Sequence, residues 1–164
     1  GGSAPALCAC AAGGALGSPI NGVHMLGRRG PVEASLPNVK LREMGELENA
    51  APVMNPDHLP GRIVADYMSD RDLRLREKNI ETMRSFLDVS PEGKSKKVHF
   101  GFYASPVEIL GRNRVEGVRV ERTTVNSKGK VHGTGATYEI PCQLVITCIG
   151  SRRFTLAKPP LDTH

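Results

Sequence analysis

The chain has 164 residues, and its 22 basic and 17 acidic side chains give a formal net charge of +5 and a pI near 9.2. A hydrophobic content of 39% supplies one ordinary core, and with only 4% aromatics and no tryptophan that core falls to Val, Ile, Leu, Met and Ala. No apolar run approaches the roughly 20 residues of a membrane span, and the basic excess favours an anionic partner such as a nucleotide or an acidic protein.

The chain opens with a small-residue-rich leader, residues 1–20, set apart from the domain that follows. It has neither the basic start of a signal peptide nor the arginines of a transit peptide. The four cysteines, Cys8, Cys10, Cys142 and Cys148, match no standard zinc spacing and form no dense disulfide framework. That usage suits a reducing compartment, with Cys142 and Cys148 packing as small hydrophobes.

The first predicted strand is Gly22–Gly27, where Val23, Met25 and Leu26 are apolar between two glycines. Pro31 suits a helix start, and Leu36, Val39, Leu41, Met44 and Leu47 recur at helical spacing, with Pro37 marking where the helix begins or restarts. Ala51–Met54 is a short second strand. A long helix is expected over Ser69–Leu87, capped by Ser69 or Asp70, with Leu73, Ile80, Met83 and Leu87 as its apolar stripe. Ser90-Pro91-Glu92-Gly93 is a turn.

From there the period becomes extended. Strands are expected at Lys97–Ala104, Val115–Val125 and Ala136–Ile140. Gln143–Ile149 is nearly all apolar, as in a strand covered on both faces. The sum is an α/β, Rossmann-like domain over 21–150, a parallel sheet with a small antiparallel meander, followed by a tail at 151–164.

Arg28 and Arg29 follow the first strand directly. In dinucleotide-binding folds the second strand ends near the adenosine ribose, where arginines accommodate the 2′-phosphate of NADP. Guanidinium is planar, permanently charged and able to donate two bonds to one phosphate. A surface turn with two solvated arginines is the other reading, and both stay open on spacing alone. The G-x-G-x-x-G turn that normally opens such a site is absent.

The segments GRRGP (27–31), LREM (41–44), SPVEILG (105–111), VEGVRVERT (115–123) and EIPCQLVITCIG (139–150), in that order, resemble the NADPH domain of the adrenodoxin reductase family and its bacterial ferredoxin–NADP reductase relatives. The resemblance implies an FAD domain beside an NADP domain, hydride transfer from NADPH to FAD, and single-electron transfer to an acidic ferredoxin- or adrenodoxin-type iron–sulfur protein. It places Arg28 and Arg29 on the 2′-phosphate. A family glutamate near the nucleotide corresponds to Lys40 here, and a second one is kept as Glu43. The resemblance also makes Arg74, Arg76, Lys78 and Arg84 candidates for docking the acidic partner, against the alternative of a solvated helix face, since Asp72, Glu77 and Glu81 are interspersed.

FAD is expected in a full-length protein and not in this chain, which is not expected to turn over alone. The competing reading is a non-catalytic basic domain, a degenerate reductase fragment that binds an acidic protein. Nucleic acid is not expected, because no aromatics interleave with the basic helix. By analogy, the compartment is the mitochondrial matrix for a eukaryotic member and the cytoplasm for a bacterial one.

Overall fold

The structure, a computed structural model, describes residues 7–13 and 20–148. Among these residues, eight strands form two sheets. The larger sheet has the order β3-β4-β2-β1-β8, from Ala50–Met54, Lys96–Gly101, Ile20–Gly27, Leu7–Gly13 and Leu144–Cys148. The smaller is a meander of β5 (Ala104–Leu110), β6 (Gly117–Val125) and β7 (Val131–Pro141). Helices α1 (Asn38–Gly45) and α2 (Asp70–Phe86) connect the parallel strands.

Strands β3, β4 and β2 are parallel neighbours, whereas β1 runs antiparallel to both β2 and β8. Leu7–Gly13 thus carries the sheet into the segment that the sequence set apart as a leader. The tail at 151–164 lies outside the described residues.

Alternation along β2 divides the core. Met25 lies level with Phe100 and Met54 and packs on the cluster that holds Leu41, Ile80, Met83 and Phe86 of the two helices. Leu26 points the other way, into a second cluster with Ala104, Val118, Val120, Ile140 and Cys142. This second core joins the two sheets and is what fixes the end of β2 against the meander.

Helix α2 begins where the Ser69 hydroxyl accepts the Asp72 N–H at 3.2 Å. Its buried stripe is Asn79, Ile80, Met83 and Phe86. The expected stripe ended on Leu87, which is 43% exposed. Phe86 takes the inward place because its ring stacks on Phe100, centroids 5.6 Å apart. The Pro31 helix start is also corrected, in favour of the start at Pro37 that the sequence offers beside it: residues 31–33 form a turn, and α1 starts at Asn38 with Pro37 as its N-cap. The Asn38 amide instead donates to Asn79 Oδ1 and Thr82 Oγ1 at 3.0 and 3.1 Å, and Asn79 donates to Leu36 O at 2.8 Å. Those bonds set where α1 can begin.

β8 corrects a third expectation. It is an edge strand, and Leu144 and Ile146 are about half exposed rather than covered on both faces. Among the described residues, the two helices pack over the β3–β4–β2 end of the sheet and not over β8. Met83→Ala should therefore cost about 2–5 kcal/mol of unfolding free energy, and Leu87→Ala under about 1 kcal/mol, both read by denaturant titration.

Candidate functional site: a basic rim at the ends of three parallel strands

Three adjacent parallel strands end on one edge of the larger sheet, the edge where ligands of open α/β sheets sit. β2 delivers Arg28, Arg29 and Gly30. β4 runs out into Phe102 and Tyr103. β3 leads into a 3-10 turn, Pro56–His58, capped by Asn55, whose side chain accepts the Asp57 N–H at 2.9 Å.

Main-chain bonds hold the two arginines in place. Tyr103 N–H donates to Arg29 O at 3.0 Å, and the hydroxyl of buried Thr123 donates to Arg28 O at 2.5 Å. Their guanidinium groups form no hydrogen bond or ion pair among the described residues. Arg28 Nε is buried and unpartnered. Both side chains are half-buried, so their charge is poised rather than neutralised.

Gly30 is required by contact. A Cβ there would lie 2.3 Å from the Tyr103 hydroxyl. Beyond it, Glu33 Oε1 accepts the Tyr67 hydroxyl at 2.8 Å, while Glu33 Oε2 is buried without a partner. Burial pushes the Tyr67 phenol up to about 12, with the Glu33 bond and charge adding to it and Arg29 opposing. Tyr103 is also raised, by burial and then by Glu33. His58 packs edge-on against Tyr103, centroids 5.4 Å apart at 76°. Its imidazole is lowered, mainly by burial and also by Arg122, with Asp57 opposing.

Sequence reasoning did not find Glu33, His58, Tyr67 or Tyr103. A usable signal existed for one of them: an Asn-Pro-Asp-His turn directly after a strand.

The four basic residues expected on α2 divide into two kinds. Arg76 donates to Ala34 O, and Arg84 donates to Pro60 O at 2.7 Å, so both tie the helix to loops. Arg74 and Lys78 are exposed and have no ionic partner among the described residues. On α1, Lys40 pairs with Glu43 at 3.2 Å in solvent. No group of three or more metal-ligating side chains occurs among the described residues, and no helix there is long and apolar enough to cross a membrane.

This is a mixed α/β, Rossmann-like domain with an antiparallel appendage. No family model matches it. The chain is nevertheless homologous to part of the adrenodoxin-reductase-type NADPH–ferredoxin reductases. It is 31% identical to the NADPH-ferredoxin reductase FprA of Mycobacterium tuberculosis over 147 residues, 87% of this chain and 32% of that protein. It is 26% identical to the mitochondrial NADPH:adrenodoxin oxidoreductase of Arabidopsis thaliana over 157 residues, 88% of this chain and 32% of that protein. The structure of M. tuberculosis FprA in complex with NADPH superposes with a TM-score of 0.66 at 30% identity, over 77% of this chain and 28% of that one. The chain thus spans about a third of the length of the curated relatives it matches.

Three lowered histidines give the domain a pH dependence. His24 and His99 stack across β2 and β4, centroids 4.4 Å apart; burial lowers both, helped by His99 for His24 and by Lys97 for His99. The unfolded chain takes up these protons at the ordinary value of 6.5 and the folded chain resists them. Stability should therefore be full above that pH and decline as acidification passes below it. Denaturation midpoints across a pH series should show that decline, and His24→Gln/His99→Gln should shrink it to the part due to His58.

Proposed function

We propose that this chain is the NADP(H)-binding portion of an FAD-dependent reductase that passes electrons from NADPH to a ferredoxin- or adrenodoxin-type iron–sulfur protein. The observation that carries the reading is the Arg28–Arg29 pair, held by its main chain at the carboxyl rim and free of any carboxylate partner among the described residues. Two unpaired guanidiniums suit a phosphate dianion through charge-assisted bonds. Homology to reductases named for NADPH supports the same assignment.

When bound, NADPH supplies the hydride, and a flavin carried by an FAD domain takes it. The role of this chain is to bind and select: Arg28 and Arg29 take the 2′-phosphate, and the neighbouring rim holds the adenosine. Arg74 and Lys78 supply an exposed basic face for an acidic iron–sulfur protein. Charge complementarity there mainly speeds encounter and weakens with salt. The compartment is the mitochondrial matrix in a eukaryote and the cytoplasm in a bacterium.

One observation favours the second reading, a non-catalytic basic domain that binds an acidic protein. On the side of β2 away from β4, the neighbouring strand β1 is antiparallel, so among the described residues no glycine-rich strand–helix turn reaches the rim there to cradle the pyrophosphate. On that reading neither nucleotide binds, and an acidic ferredoxin is captured only at low salt.

Thermal shift separates the two. NADPH at about 100 times its Kd should stabilise the chain by about 2.7 kcal/mol, with NADH clearly weaker. Arg28→Ala/Arg29→Ala should abolish the preference, a loss of roughly tenfold or more for charge-assisted bonds. Equal affinity of the unmutated chain for both nucleotides contradicts the assignment.

A further inference from the structure

The rim carries aromatic side chains as well as cations, and each arrives from a different parallel strand. Arg28 and Arg29 follow β2, Tyr103 follows β4, and His58 follows β3 through its short turn. Tyr103 has φ 54°, the left-handed region that favours glycine. Such a conformation persists where the surroundings fix it, and it clusters at ligand sites. Two main-chain bonds fix it here: its N–H donates to Arg29 O at 3.0 Å, and its carbonyl accepts the Thr123 N–H at 2.9 Å. The resulting turn carries the phenol over Gly30, a residue without a side chain to block it.

The chain's other two tyrosines are committed elsewhere. The Tyr67 hydroxyl is bonded to Glu33, and the Tyr138 ring carries the Arg122 guanidinium on its face at 4.7 Å. The Tyr103 hydroxyl has no hydrogen bond among the described residues; its half-buried ring packs against the helix-side core, and the one aromatic ring it meets there is the edge of His58. Among the described residues, three buried side-chain polar atoms lack partners: Arg28 Nε, Glu33 Oε2 and His58 Nδ1. All three belong to residues of this rim.

We infer that Tyr103 and His58 form the wall that takes the purine ring of the nucleotide, with Tyr103 as the stacking surface. The inference rests on the nucleotide-binding reading above and adds the residues that hold the base. Base and 2′-phosphate hang from one ribose, so their binding groups must be neighbours. Here they are joined directly, through the Tyr103–Arg29 main-chain bond. Stacking on an aromatic ring supplies affinity for a flat heterocycle.

The test uses adenosine 2′,5′-bisphosphate, which carries base and 2′-phosphate, beside inorganic phosphate, which carries no base. Tyr103→Asn removes the ring with a residue that tolerates the left-handed backbone. It should weaken the bisphosphate by about tenfold, the worth of one base–aromatic stack, and leave inorganic phosphate unchanged. Tyr103→Phe keeps the ring and should bind within about twofold of the unmutated chain. A second readout needs no variant: the ultraviolet absorbance of the bisphosphate should fall on binding, as it does for any stacked base. Absence of that hypochromism overturns the inference, as does equal weakening in both Tyr103 variants. Suppose the unmutated chain prefers NADPH and loses that preference in Arg28→Ala/Arg29→Ala, yet Tyr103→Asn binds normally. The wall is then rejected and the parent reading survives. A chain that binds no nucleotide rejects both.

Discussion

The junction at Tyr103 and Thr123 is the constraint on which the site depends. Two residues of the meander side bind the carbonyls of Arg28 and Arg29, one by a main-chain N–H and one by a buried hydroxyl. Below them, Leu26 is locked into the core between the sheets. A long, charged side chain loses much rotamer freedom when it is ordered. Fixing its stem in advance lowers that cost when a phosphate arrives. The left-handed turn at Tyr103 belongs to the same junction and is retained because both of its neighbours need it.

The charge on α2 has a different logic. It reads in the sequence as one basic face, yet the structure uses it in two ways. Arg76 and Arg84 donate to Ala34 O and Pro60 O and so tie the helix to the loops after β2 and β3. Arg74 and Lys78 remain in solvent. Net charge and local architecture thus share the same helix. A partner that responds to the basic excess would meet mainly the solvent-exposed pair.

Periodicity made much of this legible. β2, β3, α2 and the meander strands β6 and β7 follow from alternation, helical spacing and glycine or proline punctuation, whereas Lys97–Ala104, expected with the meander, pairs in parallel with β2 and β3 as β4, and β5 is not among the expected strands. Misses came where tertiary contact overrode a local signal. Of the two prolines that fit a helix start, Pro31 is passed over and Pro37 is used, because the amide of Asn38 finds Asn79 and Thr82 on α2. Leu87 fits the stripe, but Phe86 has a ring that can stack on Phe100. β8 is apolar enough to be buried, but burial depends on which end of the sheet the helices cover. At the site, the two arginines stood out because adjacent cations after a strand are conspicuous. Tyr103, His58, Tyr67 and Glu33 did not, because what unites them is the common edge of three strands that are far apart in sequence.

The most direct test of the central claim is a phosphorus NMR titration of the 2′-phosphate of NADP with pH, with and without the chain. Paired guanidiniums favour the dianion, so the midpoint of the bound 2′-phosphate should fall below that of the free nucleotide and return toward it in Arg28→Ala/Arg29→Ala. An unchanged midpoint in the presence of saturating chain would contradict the account.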